Sequence, residues 1–213
     1  YQAMETDRQH RWTPDADSDW NDTAVFLTAG TVATGAIDAL NPMPKAPWIH
    51  IDAAWAGPMR FSHQHASRLA GIETADSVGF SAHKWMYQPK GAALILFKEA
   101  ESAHQAMSYG GGYLSAPNIG LIGSAPASAL PLAATLLHWG REGLAEHIDS
   151  DMAKAERLKN LVDEHPDFEL WGPSQTGIVV WKHKTIPASE VRSRLKQAWV
   201  SLTDIEGDMW QRS

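Results

Sequence analysis

Ser77-Val78-Gly79-Phe80-Ser81 runs straight into Ala82-His83-Lys84-Trp85, and this junction decides how the chain folds. A short apolar stretch of strand length ends in small residues, and a lysine follows at once. The same pattern recurs upstream, in Trp48-Ile49-His50-Ile51-Asp52 followed by Ala53-Ala54, and in Ala24-Val25-Phe26-Leu27-Thr28 followed by Ala29-Gly30-Thr31. Downstream, Ala92-Ala93-Leu94-Ile95-Leu96-Phe97 reads as a fourth strand. Short, continuously apolar strands suit a sheet covered on both faces, as in α/β proteins.

Outward from this block the pattern changes. Residues 1–23 are polar and turn-rich, with no core face. Gly110-Gly111-Gly112 opens a glycine-rich loop. Residues 127–139 read as a helix that Gly140 interrupts. Residues 142–164 read as a long amphipathic helix, with Leu144, Ile148, Met152, Ala155, Leu158 and Leu161 near helical spacing, stopped by Pro166. A strand over 177–181, a helix over 188–197 opened by Pro187 and a strand over 199–203 predict a smaller α/β layer. The expected division is a large unit over residues 1–150 and a small one over 151–213.

Composition narrows the function. The 213 residues carry a formal net charge of −7, which disfavours nucleic acid as a partner, because phosphate binding needs clustered Lys and Arg. The chain has no cysteine, which excludes disulfides, thiol nucleophiles and thiolate metal sites. No apolar run approaches the ~20 residues of a membrane span, and the start lacks a basic-then-apolar signal pattern. The cytoplasm is the expected compartment. His63 and His65 form the closest histidine pair; without further convergent ligands no metal site is expected. The ten tryptophans are expected mostly as core or interface anchors.

Chemistry concentrates at the strand ends, where ligands bind in open α/β sheets. Asp52 could face a bound ring there, or cap a helix N-terminus, for which Asp is equally suited. Lys84 is a candidate for Schiff-base chemistry, although a lone lysine on a turn more commonly has its ammonium in water. The hydroxyls of Thr28 and Thr31 could face the same crevice.

Four motifs in order give these positions more meaning. Thr28-Ala29-Gly30-Thr31 with Gly35-Ala36-Ile37-Asp38, then His50-Ile51-Asp52-Ala53-Ala54-Trp55-Ala56-Gly57, then Leu69-Ala70-Gly71-Ile72-Glu73-Thr74-Ala75-Asp76-Ser77, and Ser81-Ala82-His83-Lys84-Trp85 resemble the group II amino-acid decarboxylases that depend on pyridoxal phosphate (PLP). The resemblance is tight over residues 24–97. It implies the aspartate-aminotransferase-like fold (fold type I), a mostly parallel sheet with flanking helices and a small C-terminal α/β subdomain, and the decarboxylation of an L-amino acid. It also implies that Lys84 forms the Schiff base with PLP and that Asp52 pairs with the pyridinium nitrogen. Ala54 would pack against the ring, His83 and Ser81 would lie near the phosphate, and Thr31 near the ring.

The chain departs from the family in places. Nothing before residue 24 matches the family's phosphate-binding loop or ring-stacking histidine, so an N-terminal half is expected to be missing and PLP binding by this chain alone to be weak. Residues 41–47 are too short for the helix usual there, and Ser81 stands where Asn or Asp is commoner. Tyr109 and Tyr113 flank the triple glycine, but neither aligns with a catalytic-loop tyrosine. The resemblance further implies a homodimer, with residues 108–120 at or near its interface. Two other readings stay open: another PLP lyase or transferase of the same fold, such as a sphingosine-phosphate-lyase relative, and a non-catalytic fragment.

Overall fold

A computed structural model of the chain describes residues 20–109, 118–119, 127 and 129–213. Most of the glycine-rich loop expected at a dimer interface therefore lies outside the described residues. So does residues 1–19. What is described there is a two-residue ladder, β5 (Ser108–Tyr109) antiparallel to β6 (Asn118–Ile119).

The first sheet has the order β1-β2-β3-β4, formed by β1 (Ala24–Thr28), β2 (Trp48–Asp52), β3 (Ser77–Ser81) and β4 (Ala93–Phe97). The first three strands are parallel and β4 is antiparallel. This is the expected mixed, mostly parallel α/β sheet. The β1–β2 and β2–β3 crossovers contain no α-helix. Three 3-10 turns, Gly57–Phe61, Ala66–Leu69 and Ile72–Thr74, carry the second crossover. A short helix not anticipated from the sequence, α1 (Ala100–Met107), follows β4.

Expected burial on both faces holds for only one. Val25, Leu27, Ile49 and Ile51 point into a core shared with Leu144, Ile148 and Met152 of the long helix α2 (Ala129–Glu164). On the opposite face Phe26 is 66% exposed and Ile95 is 55% exposed. Continuous apolarity records what a strand can bury, and no described element lies over these residues. Gly140 breaks α2 as its position suggested, with φ 63° and ψ −171°.

The C-terminal sheet is antiparallel, in the order β7-β8-β10-β9: β7 (Phe168–Leu170), β8 (Val180–His183), β9 (Ser201–Ile205) and β10 (Asp208–Arg212), with α3 (Ala188–Arg194) packed against it. The expected strands at 177–181 and 199–203 and the helix at 188–197 are shifted or shortened, and β7 and β10 were not anticipated. Short amphipathic strands with mixed polar faces give weak periodicity. Helix α2 joins the two units. Its earlier turns fill the first core, while Ala155 and Val162 pack with Val179, Trp181, Val191 and Val200.

A close backbone approach fixes the units against each other. A Cβ at Gly35 (φ +71°) would lie 2.4 Å from Thr176 Oγ1 and 2.9 Å from Ile178 Cβ. Glycine is required there for both conformation and space. Thr176 Oγ1 donates to the Gly35 carbonyl at 2.8 Å, and Ile37 N–H donates to Gln175 Oε1 at 2.7 Å.

Candidate active site

The parallel register sets the candidate residues side by side. Thr28 pairs with Asp52, and Asp52 with Gly79, so the carboxyl ends of β1 and β2 lie level and β3 runs two residues further, to Ser81. Backbone bonds continue past the strand ends. Ala29 N–H donates to the Asp52 carbonyl at 2.8 Å, Ala53 N–H to the Gly79 carbonyl at 2.8 Å, and Ser81 N–H to the Ala54 carbonyl at 3.3 Å. Thr31, Asp52, Ala54, Ser81, His83 and Lys84 thus all fall at one edge of one sheet.

Individual side chains are engaged differently. Asp52 is exposed on the face that α2 does not cover, and its Oδ1 accepts the Ala54 N–H at 2.9 Å. The capping geometry read as the alternative role is present, on a turn rather than an α-helix. It uses one carboxylate oxygen and leaves Oδ2 without a hydrogen bond among the described residues. The Thr31 hydroxyl is bound within its own turn, 2.8 Å from Thr34 Oγ1 and 3.1 Å from Ala36 N. His83 Nδ1 lies 3.2 Å from the Ala92 carbonyl, so this nitrogen carries the proton and donates. Ser81 Oγ has no hydrogen-bond partner among the described residues.

Lys84 is partly buried, and its ammonium has no hydrogen bond or ion pair among the described residues. It lines a cavity of about 370 Å³ together with Trp55, Trp85, Tyr87, Asp151 and Lys154. Of the six candidate residues only Lys84 borders this cavity. The two indoles stack, with centroids 5.1 Å apart at 19°. Trp55 Nε1 donates to the Thr176 carbonyl at 2.7 Å, which ties the stack to the C-terminal unit.

Asp151 of α2 was not singled out in the sequence. It accepts hydrogen bonds from Trp85 Nε1 (3.1 Å), from the Tyr87 hydroxyl and from Lys154 Nζ (2.9 Å). Burial acts to raise the Asp151 carboxyl, but these three donors and the Lys154 charge outweigh it and hold the group below its ordinary value. Burial, and then the bond to Asp151, push the Tyr87 phenol above its ordinary value. One signal was present. Residue 151 lies three positions after Ile148 and four before Ala155, so a carboxylate occupies the otherwise apolar stripe of the helix. Among the described residues no cluster of His, Cys, Asp and Glu could hold a metal ion, and no helix is long and apolar enough to cross a membrane.

Residues 18–184 match the pyridoxal-dependent decarboxylase conserved domain. An L-aspartate decarboxylase of Metarhizium robertsii is 30% identical over 165 residues, covering 70% of this chain and 33% of the relative. An aspartate 1-decarboxylase of Aliivibrio fischeri is 29% identical over 191 residues, covering 85% of this chain and 34% of the relative. The chain therefore spans about a third of the length of these curated relatives. Among solved structures, mouse CSAD in apo form superposes with a TM-score of 0.77 at 18% identity, covering 98% of this chain and 52% of that one. At that identity the likeness establishes the fold.

Proposed function

Since the chain belongs to the pyridoxal-dependent decarboxylase family, we propose that it carries the lysine-bearing part of a PLP-dependent enzyme that decarboxylates an L-amino acid. The observation that carries this reading is Lys84: partly buried, without a partner among the described residues, beside an aromatic cavity and one strand over from Asp52. A lysine that must react with a carbonyl has to keep its nitrogen available. The residue types at this sheet edge suit the group, although only Lys84 among them borders the cavity. Lys84 would hold its aldehyde carbon, the free Oδ2 of Asp52 would pair with its ring nitrogen, and the Ala54 methyl would leave room beside the ring. Ser81 would meet the phosphate, with His83 beside it and Thr31 shaping the turn nearby. When bound, PLP would supply an electron sink for the pair left on the α-carbon as carbon dioxide departs. Asp52 serves that chemistry by holding a proton on the ring nitrogen through a charge-assisted hydrogen bond.

L-Aspartate is the first substrate to assay, given the names of the two relatives, followed by aromatic and basic amino acids. We also read the enzyme as a cytoplasmic homodimer, with residues 1–150 as its cofactor-binding part and 151–213 as its small domain. The adjacent carboxyl ends of the parallel strands β1 to β3 and the family match support the cofactor assignment. The test is to incubate the chain with PLP, reduce with borohydride and map the labelled peptide. Label on Lys84 at a large excess of PLP is the expected result, and carbon dioxide release from the amino-acid panel is read on the full-length enzyme. Label on Lys90 or Lys98 instead would overturn the assignment.

A further inference from the structure

Two residues of the segment that carries Lys84 are held by one carboxylate from another part of the fold. Trp85 follows Lys84 directly, and its indole N–H reaches Asp151. Tyr87 closes the same turn, its N–H donating to the Lys84 carbonyl at 3.1 Å, and its hydroxyl also reaches Asp151. Tyr87 adopts φ 58°, a left-handed conformation that costs energy in a residue with a side chain. Such a conformation persists where surrounding contacts fix it, and here the hydroxyl bond to Asp151 is one of them. The Trp55–Trp85 stack and the Tyr87–Trp139 edge contact, with centroids 5.8 Å apart, brace the turn on two sides.

We propose that Asp151 is a positioning residue for Lys84. By tethering Trp85 and Tyr87 to α2 it fixes the turn that presents the lysine, and its carboxylate shares the cavity that Lys84 lines. The titratable side chains on that cavity are Lys84, Tyr87, Asp151 and Lys154, and Lys154 is already paired to Asp151 at 2.9 Å. The role in catalysis rests on the reading of Lys84 as the cofactor lysine, but the tether itself does not.

Competitive labelling with acetic anhydride tests the tether without the cofactor. The full chain is labelled sparingly, and the acetylation of Lys84 is measured by mass spectrometry against Lys90 and Lys98 in the same sample. Asp151→Ala should raise the Lys84 rate by about two- to tenfold, the range that one hydrogen bond is worth, with Lys90 and Lys98 unchanged. Asp151→Asn should recover part of the wild-type value, because its amide oxygen still accepts from the Trp85 indole and the Tyr87 hydroxyl. Tyr87→Phe should shift Lys84 in the same direction by less, and Lys154→Met should not move it. An unchanged Lys84 rate in folded Asp151→Ala overturns the proposal, and so does an equal rise at all three lysines. If Asp151→Ala does not fold, Tyr87→Phe decides: no change at Lys84 there is fatal. Should PLP fail to attach to Lys84 while the Asp151 effect is seen, the cofactor reading fails and the tether stands.

Discussion

Two lysines near strand ends of the two sheets are treated in opposite ways. Lys182, on β8 of the antiparallel sheet, is saturated. It pairs with Glu169 across the ladder at 3.3 Å and with Asp208, and it lies 4.2 Å over the Trp210 ring. The hydrogen bond it donates to Asp208 leads the effects that raise its pKa. Lys84, just past β3 of the parallel sheet, has no such partner among the described residues and borders a cavity walled by Trp55, Trp85 and Tyr87. Pairing is what a cation needs to contribute to a fold. Lys84 makes no such structural contribution through its ammonium among the described residues, which is the difference that the proposed role of Lys84 builds on.

The sharpest way to break the comparison is to remove each lysine. Lys84→Ala should abolish borohydride-fixed PLP and decarboxylation while changing folding stability by no more than about 0.5 kcal/mol, as for an unpaired side chain. A large loss of stability in urea unfolding would show that Lys84 is structural after all. Next in size is Asp52→Asn. Asparagine keeps an oxygen for the Ala54 N–H, so the turn survives while the charge is lost. Turnover should fall by about a hundredfold or more, of the order seen when an electrostatic partner of the reacting group is removed. Unfolding without a specific loss in the folded fraction would favour the capping role instead.

Lys182→Met should do the reverse of Lys84→Ala. It should cost about 1 kcal/mol, in keeping with a partly exposed ion-pair network and one cation–π contact, and leave PLP attachment unchanged. Equal PLP loss in both lysine variants would erase the distinction. The smallest effects are those of pH, and their signs are opposite. The depressed Asp151 carboxyl contributes stability that is complete above its ordinary value of 3.8 and is lost as pH falls below it. The raised Lys182 ammonium contributes stability that is complete below 10.5 and is lost as pH rises beyond it. The urea midpoint difference between wild type and Asp151→Asn should therefore shrink only in acid, and that for Lys182→Met only in alkali.

The sequence by itself determined the parallel strands, the residues at their carboxyl ends and the break at Gly140. Each depends on short-range signals: apolar runs of strand length, small residues after them, and a glycine inside a helical pattern. Lys84, Asp52 and Ala54 were legible for the same reason, because each stands within three residues of a strand end. Only the tertiary structure decided which face of the sheet α2 covers, that Asp52 caps a turn with one oxygen while the other stays open, and that Asp151 holds the lysine's turn. The Asp151 bonds join residues 64 and 66 positions apart in the chain. Local propensity cannot select such a partner, because the choice is made when α2 docks and an acidic position on its buried side meets the indole and phenol donors beside Lys84.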